Sequence, residues 1–256
     1  MSGIHVAQAS KLFVSRRRET LALSRTELSV ASGEIVCLVG PSGCGKTTLM
    51  NLIAGFEQPT EGSVEVGGRR VEGPSADRAV VFQADAVFPW LTVRDNVSYG
   101  PRMRGVPRSE WAPAVDHFLA QVGLSDFADA YPKELSGGMR KRVDLARAYV
   151  NEPEVLLLDE PFGALDLFTK EEMWLFLIST WQAAPKTVLF VTHDIEEALF
   201  LGDRIAVMTP RPARVREIVE VPFERPRDLD VRGEPAFQHL RLRIAHLLRE
   251  TTDDAA

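Results

Sequence analysis

Several absences bound what this chain can be. Only 2 cysteines occur among 256 residues, Cys37 in an apolar run and Cys44 in a glycine-rich one, too few and too local for a disulfide framework. No membrane-spanning run is present: the longest stretch free of charge, residues 173–185, covers thirteen positions, against the roughly 18 that a spanning helix needs. A basic surplus is missing too, since 30 Lys and Arg stand against 36 Asp and Glu, a net charge of −6. A dedicated nucleic-acid binder would carry the opposite balance, so no nucleic-acid partner is expected. The five histidines, His5, His117, His193, His239 and His246, show no ligand spacing with the cysteines, which argues against a structural zinc. The N-terminus alternates and lacks the basic start and apolar core of a secretory signal, so a cytoplasmic protein is expected. What remains is ordinary globular composition, 45% hydrophobic and 26% charged, at a length suited to one large domain or a core with an inserted lobe.

Punctuation and periodicity divide the chain. Glu34-Ile35-Val36-Cys37-Leu38-Val39 reads as a continuous apolar run ending in glycine, the pattern of a strand buried on both faces of a parallel sheet. Val64 and Val66 alternate before Gly67-Gly68, a two-residue hairpin signal that predicts an antiparallel ribbon. Residues 92–150 turn helical and read as an inserted lobe. Two further buried strands, at 155–158 and 187–192, end in Asp159-Glu160 and His193-Asp194, with helices at 167–182 and 195–201 between and after them. Buried strands that alternate with helices and end in polar residues describe a doubly wound α/β core with its site at the carboxyl ends of the strands. Beyond residue 210 the chain is rich in Arg and Pro and closes with an amphipathic stretch, and that tail reads as an appendage rather than core.

The sharpest chemical signal is Gly40-Pro41-Ser42-Gly43-Cys44-Gly45-Lys46-Thr47, which fits G-x-x-x-x-G-K-[ST] at every fixed position directly after a buried strand. Its glycines let backbone N–H groups point into one concavity, and the following helix, with Thr48 in its first turn, adds the positive end of its dipole. Lys46 then reaches the β- and γ-phosphates and the Thr47 hydroxyl ligates Mg²⁺. Asp159, at a buried strand's end, suits the carboxylate that holds the metal, and Glu160 beside it suits the group that polarises an attacking water. Ser136-Gly137-Gly138-Met139 reads equally as a capped helix start, with Met139, Val143, Ala146 and Val150 on one face, or as a second phosphate contact. Phe13 reads as a strand aromatic or a stacking platform, Gln83 as an ordinary strand-end amide or a sensor, and His193 as a strand-end cap or a catalytic imidazole. Cys44, inside the phosphate loop, is expected to be open to a maleimide whose adduct would block nucleotide binding. Residues 84–93, with Val87, Phe88, Trp90 and Leu91, are either buried in the helical lobe or form a groove for a partner.

Taken together these residues resemble the nucleotide-binding subunit of an ATP-binding-cassette transporter. The resemblance runs through Phe13 as adenine-stacking aromatic, residues 40–47 as Walker A, Gln83 as Q-loop glutamine, residues 135–139 as signature, Asp159 and Glu160 as Walker B, residues 163–166 as D-loop and His193 as switch histidine. Residues 88–93, 139–142 and 159–166 and the tail are similar to importers of the nitrate, sulfonate and taurine group. Met139 and Lys141 stand where that pattern has glutamine. The resemblance implies a P-loop NTPase (RecA-like) core with an antiparallel β subdomain and an inserted helical subdomain. Its segments would be residues 1–85 and 151–212 for the ATP-binding core, 86–150 for the helical part and 213–256 for the tail. It further implies ATP hydrolysis with ATP and Mg²⁺ as ligands, with catalytic roles for Glu160, His193, Gln83 and Lys46. Nucleotide contacts would come from Phe13, residues 40–48, Ser136, Gly137 and Gly138, and metal contacts from Thr47, Gln83 and Asp159. The implied partners are a second copy in a head-to-tail ATP sandwich, membrane permease subunits and, indirectly, a solute-binding protein, at the inner face of the cell membrane. The alternatives within the family are an ATPase subunit of a lipid or lipoprotein exporter and a non-transport ATPase.

Overall fold

A computed structural model describes residues 2–15, 18–163 and 165–253. Four strands, β1 (Ile4–Val14), β2 (Glu19–Val30), β4 (Glu61–Val66) and β5 (Arg69–Arg70), form an antiparallel sheet in the order β2-β1-β4-β5. The β4–β5 turn is Gly67-Gly68, with φ of +59° and +70°, the mirror-image turn whose twist matches the flanking strands. The second sheet has six strands: β3 (Ile35–Val39), β6 (Arg78–Val81), β7 (Val155–Asp159), β8 (Thr187–Val191), β9 (Arg204–Met208) and β10 (Val215–Glu220). Their order is β10-β9-β3-β8-β7-β6, parallel except for β10, which pairs antiparallel with β9.

The central strands are buried at every position, and their pleat divides them between two cores. Ile35, Cys37 and Val39 of β3, with Leu156, Leu158, Val188 and Phe190, face the helices α5 (Leu167–Ala183) and α6 (Ile195–Leu201). Val36 and Leu38, with Leu157, Leu189 and Val191, face α1 (Lys46–Ala54) and the antiparallel sheet. Period-2 alternation on a strand apolar at every residue thus builds two hydrophobic layers. Helices α2 (Val93–Met103), α3 (Arg108–Gln121) and α4 (Gly137–Tyr149) form the helical part expected between β6 and β7. Among the described residues no helix is long and apolar enough to cross a membrane.

The tail differs from expectation. Instead of an appendage, it docks: β10 extends the main sheet, and α7 (Pro235–Asp253) buries Phe237 and Ile244 completely. Residues 254–256 of that stretch lie outside the described residues. The cause is a polar clamp that periodicity does not show. Buried Arg227 donates to the carbonyls of Leu199 (3.0 Å), Phe200 (2.8 Å) and Gly202 (2.8 Å) at the end of α6. Those carbonyls have no helical partner of their own. Burial pulls the Arg227 guanidinium down to about 10, so it stays charged at neutral pH. Arg227→Ala should orphan this carbonyl cluster and lower unfolding free energy by about 3 kcal/mol. Urea unfolding checks this, the midpoint falling while the slope is kept.

Candidate functional site

The carboxyl ends of β3, β7 and β8 lie side by side, because the three strands are parallel and adjacent. β3 runs directly into the phosphate loop. Gly45 caps α1 at φ +131°, and a Cβ there would come within 3.2 Å of both the Ala22 carbonyl and a Leu23 methyl, so the turn needs glycine on two counts. Buried Lys46 donates from Nζ to the Gly40 (2.8 Å) and Pro41 (3.1 Å) carbonyls, which holds its charge at the rim of the loop. The Thr47 hydroxyl donates to Asp159 Oδ2 at 2.9 Å. Burial pushes the Asp159 carboxyl above its ordinary value, with the Thr47 hydrogen bond opposing. A carboxylate desolvated next to a hydroxyl at a strand end is a donor set suited to a hard divalent cation, whose charge would offset that burial. Thr48 continues the first turn of α1.

Glu160 adopts φ +45°, a left-handed conformation that costs a non-glycine residue on the order of 1 kcal/mol. Its N–H donates to the Val191 carbonyl (2.9 Å), and its side chain meets two partners from other segments. Gln83 Nε2 donates to Glu160 Oε2 at 3.2 Å, and His193 Nδ1 lies 3.1 Å from the same oxygen. Gln83, Glu160 and His193, predicted separately, therefore converge on one oxygen. Behind His193, buried Glu197 accepts from Trp174 Nε1 (2.9 Å) and from the Thr192 hydroxyl, while Lys170 bridges Asp194 at 2.6 Å. Burial raises the Glu197 carboxyl. Both neighbours of His193 are thus anchored, Asp194 also capping α6 through the N–H groups of Glu196 and Glu197.

Other expectations fare differently. Ser136 caps α4 by accepting from the Met139 N–H (3.2 Å), with Gly137 and Gly138 as the first two helical residues. Ser136 and Gly138 border a separate concavity of about 300 Å³ that also includes Asp166 and Thr169. Among the described residues no hydrogen bond joins residues 136–138 to the phosphate loop. Ala164 of the expected D-loop lies outside the described residues. Phe13 is 38% exposed on β1, opposite Thr20, with Lys11 Nζ 5.0 Å from its ring centre. Cys44 departs from expectation: it is only 2% exposed and its thiol is raised by burial, because the loop turns it inward against the core, so it is no accessible maleimide target. Of residues 84–93, Phe88 is half-buried, its ring 4.7 Å from Tyr99 and 5.1 Å from the Arg147 guanidinium, while Trp90 is 70% exposed. Phe88 lines a groove of about 440 Å³ with Phe82, Tyr99, Asp144 and Arg147, and Trp90 lies beside that groove with its ring 5.5 Å from that of Phe88. Buried Asn96 shapes this turn, accepting from the Phe88 N–H and donating to the Phe88, Leu91 and Thr92 carbonyls.

The residues that sequence reasoning missed are on α4. Lys141, buried, donates to the carbonyls of Phe82 (2.6 Å) and Gln83 (3.1 Å). Asp144 accepts from the Ala86 N–H (3.0 Å), Arg147 donates to the Ala86 carbonyl (2.9 Å), and Arg140 pairs with Asp85 (2.8 Å). Burial lowers Lys141 and raises Asp144, each opposed by its ionic neighbours. The available signal was charge at i, i+3 and i+6 on a helix face that also buries apolar residues. Lys141→Met should release residues 82–84, deprive the Phe82, Gln83 and Ala84 carbonyls of their ammonium donor and lower turnover about tenfold, with Lys141→Gln recovering part of it through its amide donors. Steady-state kinetics of both variants test this, the Gln83 clamp being excluded by unchanged turnover in the Met variant.

Residues 23–163 match the family described as ABC transporter. The chain is 43% identical over 259 residues to the taurine import ATP-binding protein TauB of Jannaschia sp., covering 99% of this chain and 97% of that one. It is also 43% identical over 252 residues to the nitrate import ATP-binding protein NrtD of Synechocystis sp., covering 96% and 95%. A solved dimeric post-hydrolysis state of the ATP-binding cassette MJ0796, bound to ADP and Pi, superposes with a TM-score of 0.75 at 30% identity, covering 86% of this chain and all of that one.

Proposed function

Because the chain belongs to the ABC transporter family, as an ATP-binding and ATP-hydrolysing subunit, we propose that it powers import of a small oxoanion or sulfonate through a separate membrane permease. The single observation that carries the site is the convergence of Gln83 and His193 on one Glu160 oxygen beside the phosphate loop. The import direction is favoured over the exporter and non-transport readings by relatives named for taurine and nitrate import.

In this reading Lys46 and N–H groups of residues 42–48 bind the β- and γ-phosphates, and Phe13 offers a ring face to the base. Thr47, Asp159 and Gln83 would hold Mg²⁺, which supplies charge neutralisation of the triphosphate. Glu160 orients the attacking water and takes its proton, while Gln83 and His193 keep its carboxylate aimed. His193 then faces the γ-phosphate with its other ring nitrogen. Residues 136–138 sit apart from the phosphate loop of their own chain, so a second copy placed head to tail would bring its Ser136, Gly137 and Gly138 to the nucleotide. ATP then acts as a ligand favouring the closed pair, and hydrolysis releases it. The groove beside Trp90 would receive a short cytoplasmic helix of the permease, placing the subunit at the inner face of the cell membrane. A solute-binding protein would act only through that permease.

Glu160→Gln should retain ATP binding, accumulate a closed ATP-bound dimer and slow hydrolysis by a factor on the order of 10² to 10⁴. Measured ATPase activity near that of the native chain would sink the role given to Glu160. For coupling, Trp90→Ser should leave thermal stability and nucleotide binding intact while weakening co-purification with the permease and abolishing uptake. Joint loss of folding and binding would mean that Trp90 supports the core and that the coupling surface lies elsewhere.

A further inference from the structure

On the flank of the phosphate loop lies a second concavity, of about 640 Å³. Arg211, Arg214 and Arg216 wall it together with the hydroxyl residues Ser24, Thr209 and Thr251, and its described lining contains no carboxylate. Arg216 pairs with Glu250 at 3.0 Å. Arg211 and Arg214 enter no ion pair with a described carboxylate, although the chain as a whole is acidic at −6. Guanidinium groups gathered around one pocket raise the local potential and favour a counter-anion there.

The backbone that carries them is held firmly. Ala213, between Arg211 and Arg214, is completely buried; its N–H donates to the Ala22 carbonyl (3.0 Å) and its carbonyl accepts from the Ser24 N–H (2.9 Å). The Thr209 N–H donates to the Arg214 carbonyl (3.0 Å), and the Arg214 N–H donates to the Thr209 hydroxyl (3.1 Å). A Cβ on Gly43 would lie 3.7 Å from an Arg211 terminal nitrogen, so this segment leans against the phosphate loop without being part of it. Fixed backbone reduces the ordering cost of a binding site, and arginine forks match the paired oxygens of a tetrahedral anion.

We propose that this pocket is a second anion site, distinct from the phosphate loop, that takes a tetrahedral oxoanion group of the phosphate, sulfate or sulfonate class. Arg211 and Arg214 are its fork donors, and the Ser24 and Thr209 hydroxyls complete it. The pocket exceeds a bare oxoanion in volume, so it also admits a small organic molecule that bears one. Nothing in this inference depends on the hydrolytic role given to Glu160. The same chemistry has two sources, a free oxoanion or the phosphates of nucleotide already bound next door, and the experiment separates them.

Equilibrium dialysis of radiolabelled sulfate or inorganic phosphate against the full-length protein saturated with Mg²⁺ and a non-hydrolysable ATP analogue keeps the phosphate loop filled and generates no phosphate. Binding of that analogue, measured first, tests the nucleotide reading by itself. One saturable equivalent of oxoanion per chain is expected, weakened about tenfold or more in Arg214→Ala and in Arg211→Ala. No saturable binding, or binding unchanged in Arg214→Ala, overturns the site. Loss of analogue affinity in Arg211→Ala, with no oxoanion bound to the nucleotide-loaded protein, assigns the arginines to the nucleotide's own phosphates and likewise overturns it.

Discussion

Burial of the main sheet on both faces is the constraint from which the rest of the molecule follows. Every residue of β3, β7 and β8 is enclosed, apolar layers lying above and below. A polar side chain midway along such a strand would lose its water without gaining partners. Asp159 and the residues just past each strand are the first positions where polar groups find hydrogen-bond partners or solvent. The phosphate loop, Asp159, Glu160 and His193 are therefore gathered at one edge because three adjacent strands end there together.

Within that edge, geometry is set by contacts between segments distant in the chain. Glu160 accepts from Gln83 after β6 and lies against His193 after β8, so its aim depends on two neighbouring strand ends. Gln83 in turn hangs from Lys141 of α4, and Ala86, three residues on, is clasped by Asp144 and Arg147. Arg147 also faces Phe88 in the groove next to Trp90. One helix therefore touches the groove at one end of its charged face and the backbone of Gln83 at the other. A shift of α4 would move both.

Buried charge recurs as a fastening device. Arg227 closes α6 on the tail, Glu197 ties Trp174 to Thr192, and Lys141 holds residues 82–83, each buried and each fully engaged with carbonyls or donors. Such groups add little net stability compared with apolar packing, but an alternative arrangement would leave a desolvated charge unpaired. They specify where loops sit. The exposed Arg211 and Arg214 contrast with them, being displayed on a fastened backbone without a described acidic partner.

Residues adjacent in the chain made much of the site legible. Positions 40–47 are contiguous, so the loop's glycines, Lys46 and Thr47 could be read directly, and Asp159 and Glu160 announced themselves by ending an apolar run. The hairpin at Gly67-Gly68 and the strands at 35–39, 155–159 and 187–191 follow from period and turn chemistry that act over a few residues. Tertiary structure alone decided that Cys44 turns inward, that the tail docks through Arg227, and that Lys141 reaches Phe82 across 59 positions of sequence. Local pattern is fixed by backbone sterics and side-chain period. Long-range polar pairing is fixed only when packing brings a desolvated donor next to the one acceptor that satisfies it.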